Sequence, residues 1–254
     1  MSRAAEARNG GAHRIVAGSE YASMIMTRES DRRARARFQT LALALSKPGD
    51  ALLDFGAGTG IDARLYAVQG RRVFAYDVDA NMCEYFRVHC RDFIETGSVS
   101  IQCCDYEQFL KRTSSALEGR IELITSNFAP LNLIEDLGAL FARFHALTVQ
   151  DGRVLVSVLS PYFIGDARYV WWWRNLWTLW RKGQFALPGT QAPIVRRRLA
   201  ELARACRPYF ELERVYRGMP ARECPRLLSA GRHSMAWLPL STCRFMLLYF
   251  RRVP

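Results

Sequence analysis

Glycines occupy three alternate positions after an acid that ends an apolar run: Asp54 is followed by Gly56, Gly58 and Gly60. An acid at the end of a strand followed by Gly-x-Gly-x-Gly lets a small ligand lie directly against the backbone, because a Cβ would hold the ligand away. Asp77 closes a second apolar run seventeen residues after Gly60, where a doubly wound sheet places an acid for ribose hydroxyls. The two acids together indicate a ligand that contains adenosine.

The spacing of the glycines separates this pattern from two other nucleotide sites. The dinucleotide fingerprint is Gly-x-Gly-x-x-Gly, but Ile61 stands at its sixth position here. The Gly-Lys-Ser/Thr of a phosphate-binding P-loop is also missing after these glycines. Asp54 would repel a phosphate, whereas it could attract an ammonium directly or through water. These features favour a cofactor with adenosine, an ammonium and a sulfonium but no phosphate.

On these residues the chain resembles the class I S-adenosylmethionine-dependent methyltransferases. The resemblance runs from about Tyr21 to the C-terminus and is most specific from Leu52 to Pro130. It implies that the chain is an enzyme and that S-adenosyl-L-methionine is its cofactor. It also implies that the first loop holds the cofactor through Asp54, Gly56, Ala57, Gly58 and Gly60.

Two further segments resemble cofactor motifs of the same family. The segment Tyr76-Asp77-Val78-Asp79-Ala80-Asn81-Met82 implies that Asp77 binds both ribose hydroxyls, that Val78 flanks the adenine and that Met82 packs on its ring. The segment Ile101-Gln102-Cys103-Cys104-Asp105-Tyr106 implies that Asp105 accepts a hydrogen bond from the adenine amino group. The amide of Tyr106 would then reach the ring.

A fourth segment, Ser126-Asn127-Phe128-Ala129-Pro130, resembles the motif that lies beneath the reactive methyl group, which adds Asn127 to the expected cofactor site. Enzymes that methylate exocyclic amines of DNA or some protein amides carry a pair of prolines here, and this chain has only Pro130. Such substrates are therefore not expected. A purely structural role for Asn127 stays open, since asparagine favours caps and turns.

The order of apolar and helical patterns predicts an α/β fold with a doubly wound, mostly parallel, seven-stranded sheet, helices on both faces and a reversed last strand. We expect strands near 51–55, 72–76, 99–103, 121–125, 153–159, 209–216 and 243–250. We expect helices near 19–45, 60–68, 79–95, 105–111, 131–147 and 193–206, with a turn at Asp151-Gly152. The chain length suits a single domain over 19–254, preceded by a disordered tail over 1–18.

The chain carries a net charge of +12, but 33 of its 36 basic residues are arginines that are scattered along it. The runs Arg28–Arg37 and Arg196–Arg198 lie in helical patterns, where solvated charged faces are expected. Charge alone supports an RNA substrate, and no RNA-recognition signature accompanies it, so nucleic acid is not expected as a partner. A positive field favours acidic substrates, acidic carrier proteins or anionic membrane surfaces.

Seven cysteines without a Cys-x-x-Cys, and four histidines that form no ligand cluster, predict no metal site. An odd number of thiols predicts a reduced, cytoplasmic protein. The N-terminus has no apolar signal core, and no apolar run reaches the length that spans a membrane.

An aromatic-rich insertion at about 161–192 holds five of the six tryptophans. Within 169–182, helical spacing places Arg174, Thr178, Arg181 and Lys182 on one stripe, opposite a stripe formed by Tyr169, Trp172, Trp173, Leu176 and Trp180. Three interpretations remain open. The segment is a hydrophobic lid over the acceptor, a structural helix at the sheet edge, or a helix that contacts a membrane surface or a second copy. We favour the lid.

The expected activity is methylation of a small apolar or aromatic molecule, such as a secondary metabolite or lipid-like compound, free or bound to a carrier. An RNA methyltransferase and a non-catalytic cofactor-binding subunit are the alternatives. No catalytic residue is assigned. His233 is a candidate base in the loop between the last two strands, Tyr21 lies where the N-terminal segment closes over the cofactor, and Arg28 could pair with the cofactor carboxylate.

Overall fold

A computed structural model describes residues 29–111, 117–188, 192–216 and 243–253. Within these ranges the strands are β1 (Ala51–Phe55), β2 (Arg72–Asp77), β3 (Val99–Cys103), β4 (Ile121–Ser126), β5 (Thr148–Leu159), β6 (Gln184–Leu187), β7 (Ile194–Arg197), β8 (Phe210–Tyr216) and β9 (Phe245–Arg252). The α-helices are α1 (Glu29–Ala44), α2 (Ile61–Val68), α3 (Ala80–His89), α4 (Arg91–Glu95), α5 (Tyr106–Lys111), α6 (Leu137–Leu147), α7 (Val170–Lys182) and α8 (Leu199–Cys206). Short 3-10 helices cover Pro130–Leu133 and Ile164–Asp166.

The central sheet has seven strands in the order β3-β2-β1-β4-β5-β9-β8. Strands β1 to β5 pair in parallel, whereas β9 runs antiparallel to both β5 and β8. The predicted fold, including its reversed last strand, is confirmed. The chain reverses its direction of winding between β1 and β4, and in open sheets of this kind ligands bind at the carboxyl ends of the strands beside that point.

Two apolar cores, one on each face of the sheet, hold the helices in place. Phe55 and Ile124 contribute to one core, which packs against Phe141 and Phe144 of α6. Leu52 contributes to the other, together with side chains of α1, α2 and α3. Adjacent residues of a strand point to opposite faces, so β1, which is apolar except for Asp54, supplies both cores and is buried along its whole length.

Two predicted helices are interrupted. The helix that Asp79 caps ends at His89, and Cys90, with φ −107° and ψ 16°, separates it from α4. Cys90 leaves the helical conformation where its thiol approaches the carbonyl of Gly60 at 3.6 Å. The helix predicted over 131–147 starts only at Leu137, which Asp136 caps by accepting a hydrogen bond from the Ala139 amide.

Two other predictions about the second half of the chain are wrong. Asp151-Gly152 is not a turn, because β5 already begins at Thr148 and absorbs a register shift in its pairing with β4. Gly152 permits that irregularity, since a Cβ there would lie 2.4 Å from the Cβ of Thr148. The helix predicted over 193–206 begins only at Leu199, since Ile194 and Val195 form β7 against β6, as their branched side chains favour.

Candidate active site

The glycine loop lies at the carboxyl end of β1, and each of its three glycines has a positive φ. A Cβ on Gly56 would come within 2.5 Å of Pro130 Cγ, and a Cβ on Gly60 within 2.7 Å of Phe86 Cδ2. A Cβ on Gly58 would meet no described atom within 4 Å. The sequence argument that a Cβ would displace a ligand therefore applies to Gly58, whereas the other two glycines allow close packing within the protein.

Backbone hydrogen bonds fix this loop to the end of β2. The amides of Gly56 and Ala57 both donate to the carbonyl of Tyr76, at 2.8 and 3.0 Å. The amide of Gly58 donates to Asp77 Oδ2 at 2.7 Å, and the amide of Asp79 donates to Asp77 Oδ1 at 3.0 Å. Burial raises the pKa of Asp77 from its ordinary value, and these amides oppose that rise. The predicted loop and ribose acid are thus parts of one rigid cradle.

Asp54 lies beneath this cradle as a buried acid with one free oxygen. Its side chain is almost fully buried, and Oδ1 accepts a hydrogen bond from Thr125 Oγ1 at 3.1 Å. Oδ2 is buried without a hydrogen-bond partner among the described residues. Burial, reinforced by the nearby Asp62 carboxylate, raises the pKa of Asp54 to about 8. A buried acceptor without a hydrogen-bond partner destabilises the protein. The ammonium of S-adenosylmethionine would give Asp54 both a hydrogen-bond donor and a positively charged partner.

A polar network that the sequence analysis missed surrounds Asp62 in the first turn of α2. Asp62 is buried and accepts hydrogen bonds from Arg35 at 2.7 Å, Gln39 at 2.6 Å and Asn127 at 3.0 Å. Arg35 and Gln39 come from α1, so Asp62 joins that helix to the glycine loop and to the end of β4. The signal available in the sequence was an acid in the first turn of the predicted helix, two residues after Gly60.

The predicted adenine contacts lie at the carboxyl ends of β2 and β3, which pair through Asp77 and Cys103. Val78 is 57 % exposed, as a residue that flanks a ligand should be. Asp105 is exposed and accepts a hydrogen bond from the Gln108 amide at 2.7 Å, which also makes it a cap for α5. Met82 and Tyr106 are partly buried beside them. The roles of these four residues toward adenine stay predictions.

Asn127 has a structural role that its motif did not specify. Its amide group donates to Asp62, while its Oδ1 accepts from the Phe128 amide at 2.9 Å and from Ser157 Oγ at 3.0 Å. The next two residues, Phe128 and Ala129, adopt positive φ values of 60° and 70°. Such a conformation is costly for residues other than glycine. The bonds around Asn127 therefore hold the strand-four motif in a strained turn, and a contact with the cofactor stays a prediction.

The strained turn places an aromatic ring at the edge where β4, β5 and β9 meet. Phe128 makes an edge contact with Phe245, the first residue of β9, with ring centroids 5.3 Å apart. The guanidinium of Arg35 lies over the Phe128 ring at 4.5 Å from its centroid. This aromatic edge, formed by Phe128, Phe245 and Arg35, borders the motif expected beneath the reactive methyl group.

The insertion after β5 is fixed to the same edge by buried polar side chains. Arg196 donates to Asp166 at 2.6 Å and to the carbonyl of Ser160 at 3.0 Å. Arg197 donates to the carbonyls of Leu131, Ile134 and Glu135. Asn132 donates to the carbonyl of Val195 at 2.6 Å and accepts from the amide of Leu159.

These contacts correct the expectation that the run Arg196–Arg198 is a solvated face. Arg196 and Arg197 lie on a strand and are buried. The guanidinium groups donate to protein oxygens instead of to water: the planar fork of Arg197 reaches three carbonyls that follow β4, and Arg196 reaches Ser160 and Asp166.

Helix α7 buries only part of the predicted aromatic stripe. Trp172 and Leu179 are buried, and Trp172 Nε1 donates to the carbonyl of Pro161 at 3.2 Å. Trp173 and Trp180, which lie on the same predicted stripe as Trp172, are 60 % and 72 % exposed. The buried face follows from the attachment of Trp172 beneath the insertion, which spacing alone did not indicate.

Tyr21, Arg28 and His233, named above as candidates, lie outside the described residues, and so does the whole of the predicted tail over 1–18.

Comparisons with known proteins agree with this fold. The family model described as a methyltransferase domain matches residues 26–206. The chain therefore belongs to the methyltransferase family, and its fold is that of the class I S-adenosylmethionine-dependent methyltransferases.

Two solved structures illustrate the shared fold. The 1,6-didemethyltoxoflavin-N1-methyltransferase of Burkholderia thailandensis, crystallised with 1,6-didemethyltoxoflavin and S-adenosylhomocysteine, is 19 % identical with a TM-score of 0.59, over 93 % of this chain and 87 % of that one. The geranyl diphosphate C-methyltransferase of Streptomyces coelicolor A3(2), crystallised with Mg²⁺, geranyl diphosphate and S-adenosylhomocysteine, is 16 % identical with a TM-score of 0.59, over 93 % and 83 %.

A curated relative matches only part of the chain. An uncharacterized protein of Haemophilus influenzae is 28 % identical over 122 residues, which span 48 % of this chain and 46 % of that protein. In the part of the chain that the structure describes, none of the helices combines the length and apolar character needed to cross a membrane.

Proposed function

We propose that this methyltransferase acts on a small apolar or aromatic molecule, free or bound to a carrier, at the aromatic edge. When bound, S-adenosylmethionine supplies an electrophilic methyl group on its sulfonium. The residues of this chain then have to hold the acceptor in line with that methyl group and keep water away from it.

The observation that carries the proposal is the pair Phe128 and Phe245. Small-molecule sites are lined mainly by apolar and aromatic side chains with a few placed polar groups, and an aromatic acceptor would stack on or against such rings. Asn127 and Ser157 hold the backbone on which Phe128 is presented. The ring is thus preorganised rather than free to move away.

The anchored insertion supports the same proposal. It follows β5 and is held over the strand ends by Arg196, Arg197 and Asn132, where it would limit the size of the acceptor. Two proteins of similar fold, crystallised with 1,6-didemethyltoxoflavin and with geranyl diphosphate, support a small acceptor as well.

The test combines acceptor binding with turnover. Thermal unfolding of the protein loaded with S-adenosylhomocysteine should be measured against phenols, nitrogen heterocycles, isoprenoid compounds and a structured RNA. Compounds that stabilise it should then be incubated with S-adenosylmethionine and analysed by mass spectrometry. We expect a small molecule to be methylated. Methylation of RNA alone, or no turnover on any compound that binds, would contradict the proposal.

Phe128→Ala makes the test specific for the aromatic edge. We expect it to raise KM for the acceptor while the affinity for S-adenosylhomocysteine stays within about twofold, because the cradle for adenosine lies elsewhere. Phe93→Ala is the matched control, since Phe93 also packs beneath a guanidinium, that of Arg64 at 5.2 Å, but lies on α4 away from this edge. Equal effects of both variants on KM would contradict the assignment.

A further inference from the structure

Three tryptophans form an exposed band along α7. Trp173, Trp177 and Trp180 are 60 %, 61 % and 72 % exposed. Their spacing of four and three residues places them on one face of the helix, and Val170, which is 74 % exposed, extends this face by one turn. We call these four residues the tryptophan band.

The fold explains the tryptophan band only in part. Trp172 and Leu179 attach α7 to the insertion, and Trp173 supports this attachment by packing edge-on against Trp172 and by donating to the carbonyl of Ala167 at 2.8 Å. All three rings of the band nevertheless stay more than half exposed. At roughly 150–250 Å² per aromatic side chain, three rings at these exposures present about 300–500 Å² of apolar surface. This is as large as the largest apolar patches of typical soluble monomers, and such patches often mark interaction sites.

The charged residues of α7 itself are all positive. Within Val170–Lys182 the charged residues are Arg174, Arg181 and Lys182, and there is no acid. The guanidinium of Arg181 lies 4.8 Å from the centroid of the Trp177 ring. Asp166, the acid that precedes the helix, is already paired with Arg196 at 2.6 Å. The surface therefore offers indole rings and positive charge together, and it complements an anionic surface.

We infer that the tryptophan band docks this protein on an anionic lipid surface, with α7 lying in the interface plane. Amphipathic helices that bind in this way carry tryptophan on one face and lysine or arginine beside it, and the indole favours the level of the lipid headgroups. A protein partner is less favoured, because a stable interface buries about 800 Å² on each partner, which exceeds the band. A lipid surface needs no such shape complementarity. The inference does not depend on the nature of the acceptor.

Vesicle binding tests the inference on the full-length protein. Flotation should be measured with vesicles of phosphatidylcholine alone and of phosphatidylcholine mixed with phosphatidylglycerol. We expect binding to the mixed vesicles, with a blue shift of tryptophan emission, and release by high salt, which screens the charges. Changing Trp173, Trp177 and Trp180 to Ser should reduce partitioning at least about tenfold and remove the blue shift.

Two charge variants separate local from overall electrostatics. Reversing the band's own charges with Arg174→Glu, Arg181→Glu and Lys182→Glu should abolish the preference for anionic vesicles. The control, Arg91→Glu with Lys111→Glu and Arg204→Glu, makes the same change in net charge at exposed sites on other helices and should leave binding within about threefold.

Three results would overturn the inference. One is wild-type protein that floats with neither kind of vesicle. Another is a triple-serine variant that binds mixed vesicles as tightly as wild type. The last is a wild-type protein that does not bind vesicles but forms a dimer in equilibrium sedimentation, with a triple-serine variant that is monomeric. A second copy of the chain would then be the partner of the tryptophan band.

Discussion

The backbone amide of Gly58 donates a hydrogen bond of 2.7 Å to a carboxylate oxygen of Asp77. This bond joins the loop that follows β1 to the acid that ends β2, two features that the sequence presents seventeen residues apart. Because the Asp79 amide holds the other oxygen at 3.0 Å, the carboxylate is oriented within the protein itself. The cradle for adenosine is therefore preorganised, which lowers the entropic cost of binding.

Gly58 and Gly97 should respond differently to the same substitution. Both have positive φ values, 55° and 74°, and a Cβ on either would meet no described atom within 4 Å. Alanine at each position should therefore lower the free energy of unfolding by about 1–2 kcal/mol, the cost of a left-handed residue with a side chain. Only Gly58→Ala should also weaken binding of S-adenosylhomocysteine, by at least about tenfold.

Chemical denaturation and calorimetric titration of both variants check this prediction. Loss of affinity in Gly97→Ala, or unchanged affinity in Gly58→Ala, would show that the space above Gly58 does not receive the cofactor. Gly56→Ala and Gly60→Ala should unfold more easily than either variant, because their Cβ atoms would collide with Pro130 and Phe86.

Asp54 should release a proton when the cofactor binds. Its pKa is raised to about 8 in the cofactor-free protein, so at pH 7 most molecules carry a protonated carboxyl. An ammonium beside it favours the carboxylate, and binding at pH 7 should release about one proton per cofactor. Titration of S-adenosylmethionine in two buffers with different ionisation enthalpies measures that number. Asp54→Asn should release none, and equal release by both proteins would contradict the prediction.

The same group should make the cofactor-free protein less stable as the pH rises. A carboxyl whose pKa is raised by folding stabilises the folded state below its ordinary pKa, and this contribution is lost as the pH passes through the raised value. For Asp54 the loss should extend from about pH 4 to about pH 8. The free energy of unfolding of Asp54→Asn, taken relative to that of wild type, should therefore be higher at pH 8.5 than at about pH 4, as measured by urea denaturation. A difference between the two proteins that stays constant over this range would contradict the assignment.

The pair Arg35 and Asp62 should contribute far more to stability than a surface pair. Their side chains are only 11 % and 7 % exposed, so removing one partner leaves a buried charge without its counterion and should cost about 3–5 kcal/mol. Arg35→Ala combined with Asp62→Ala should cost less than the sum of the single changes. A double-mutant cycle by chemical denaturation measures this coupling.

The pair Arg91 and Glu95 is the control for that cycle, since its side chains are 76 % and 63 % exposed. Its coupling should be close to zero, because solvent screens exposed pairs. Equal coupling in the two cycles would show that the network around Asp62 does not hold α1 to the glycine loop.

The sequence predicted the first four strands of the central sheet well, because they are apolar runs bounded by turn residues and each ends in a recognisable motif. It predicted β1 and β3 with their observed bounds, and the reversed last strand followed from the family resemblance. It failed where long-range contacts override local periodicity. The spacing of Arg196 and Arg197 suggested a helix, but both residues lie on a strand. Arg197 donates to carbonyls 63 and 66 residues earlier in the chain, and Arg196 donates to the carbonyl of Ser160.

The candidate site was proposed from backbone conformation and from acids at strand ends, so Asp54, Asp77 and Gly58 could be named from their spacing. The roles of Asp62 and Arg35 could not be predicted, because they depend on a contact between residues 27 positions apart on two different helices. For a similar reason the sequence did not indicate which part of the aromatic stripe of α7 is buried, since helical spacing defines stripes but does not tell which residues the rest of the protein covers.

Calorimetric titration of S-adenosylhomocysteine and NAD into wild-type protein and Asp77→Ala tests the central claim most directly. We predict that wild type binds S-adenosylhomocysteine and not NAD. Asp77→Ala should fold and bind about ten- to a hundred-fold more weakly, because hydrogen bonds to a charged acceptor contribute roughly 1.5–3 kcal/mol, while the exposed-acid control Asp92→Ala should bind as wild type does. Tighter binding of NAD than of S-adenosylhomocysteine, or an unchanged dissociation constant in Asp77→Ala, would contradict the account.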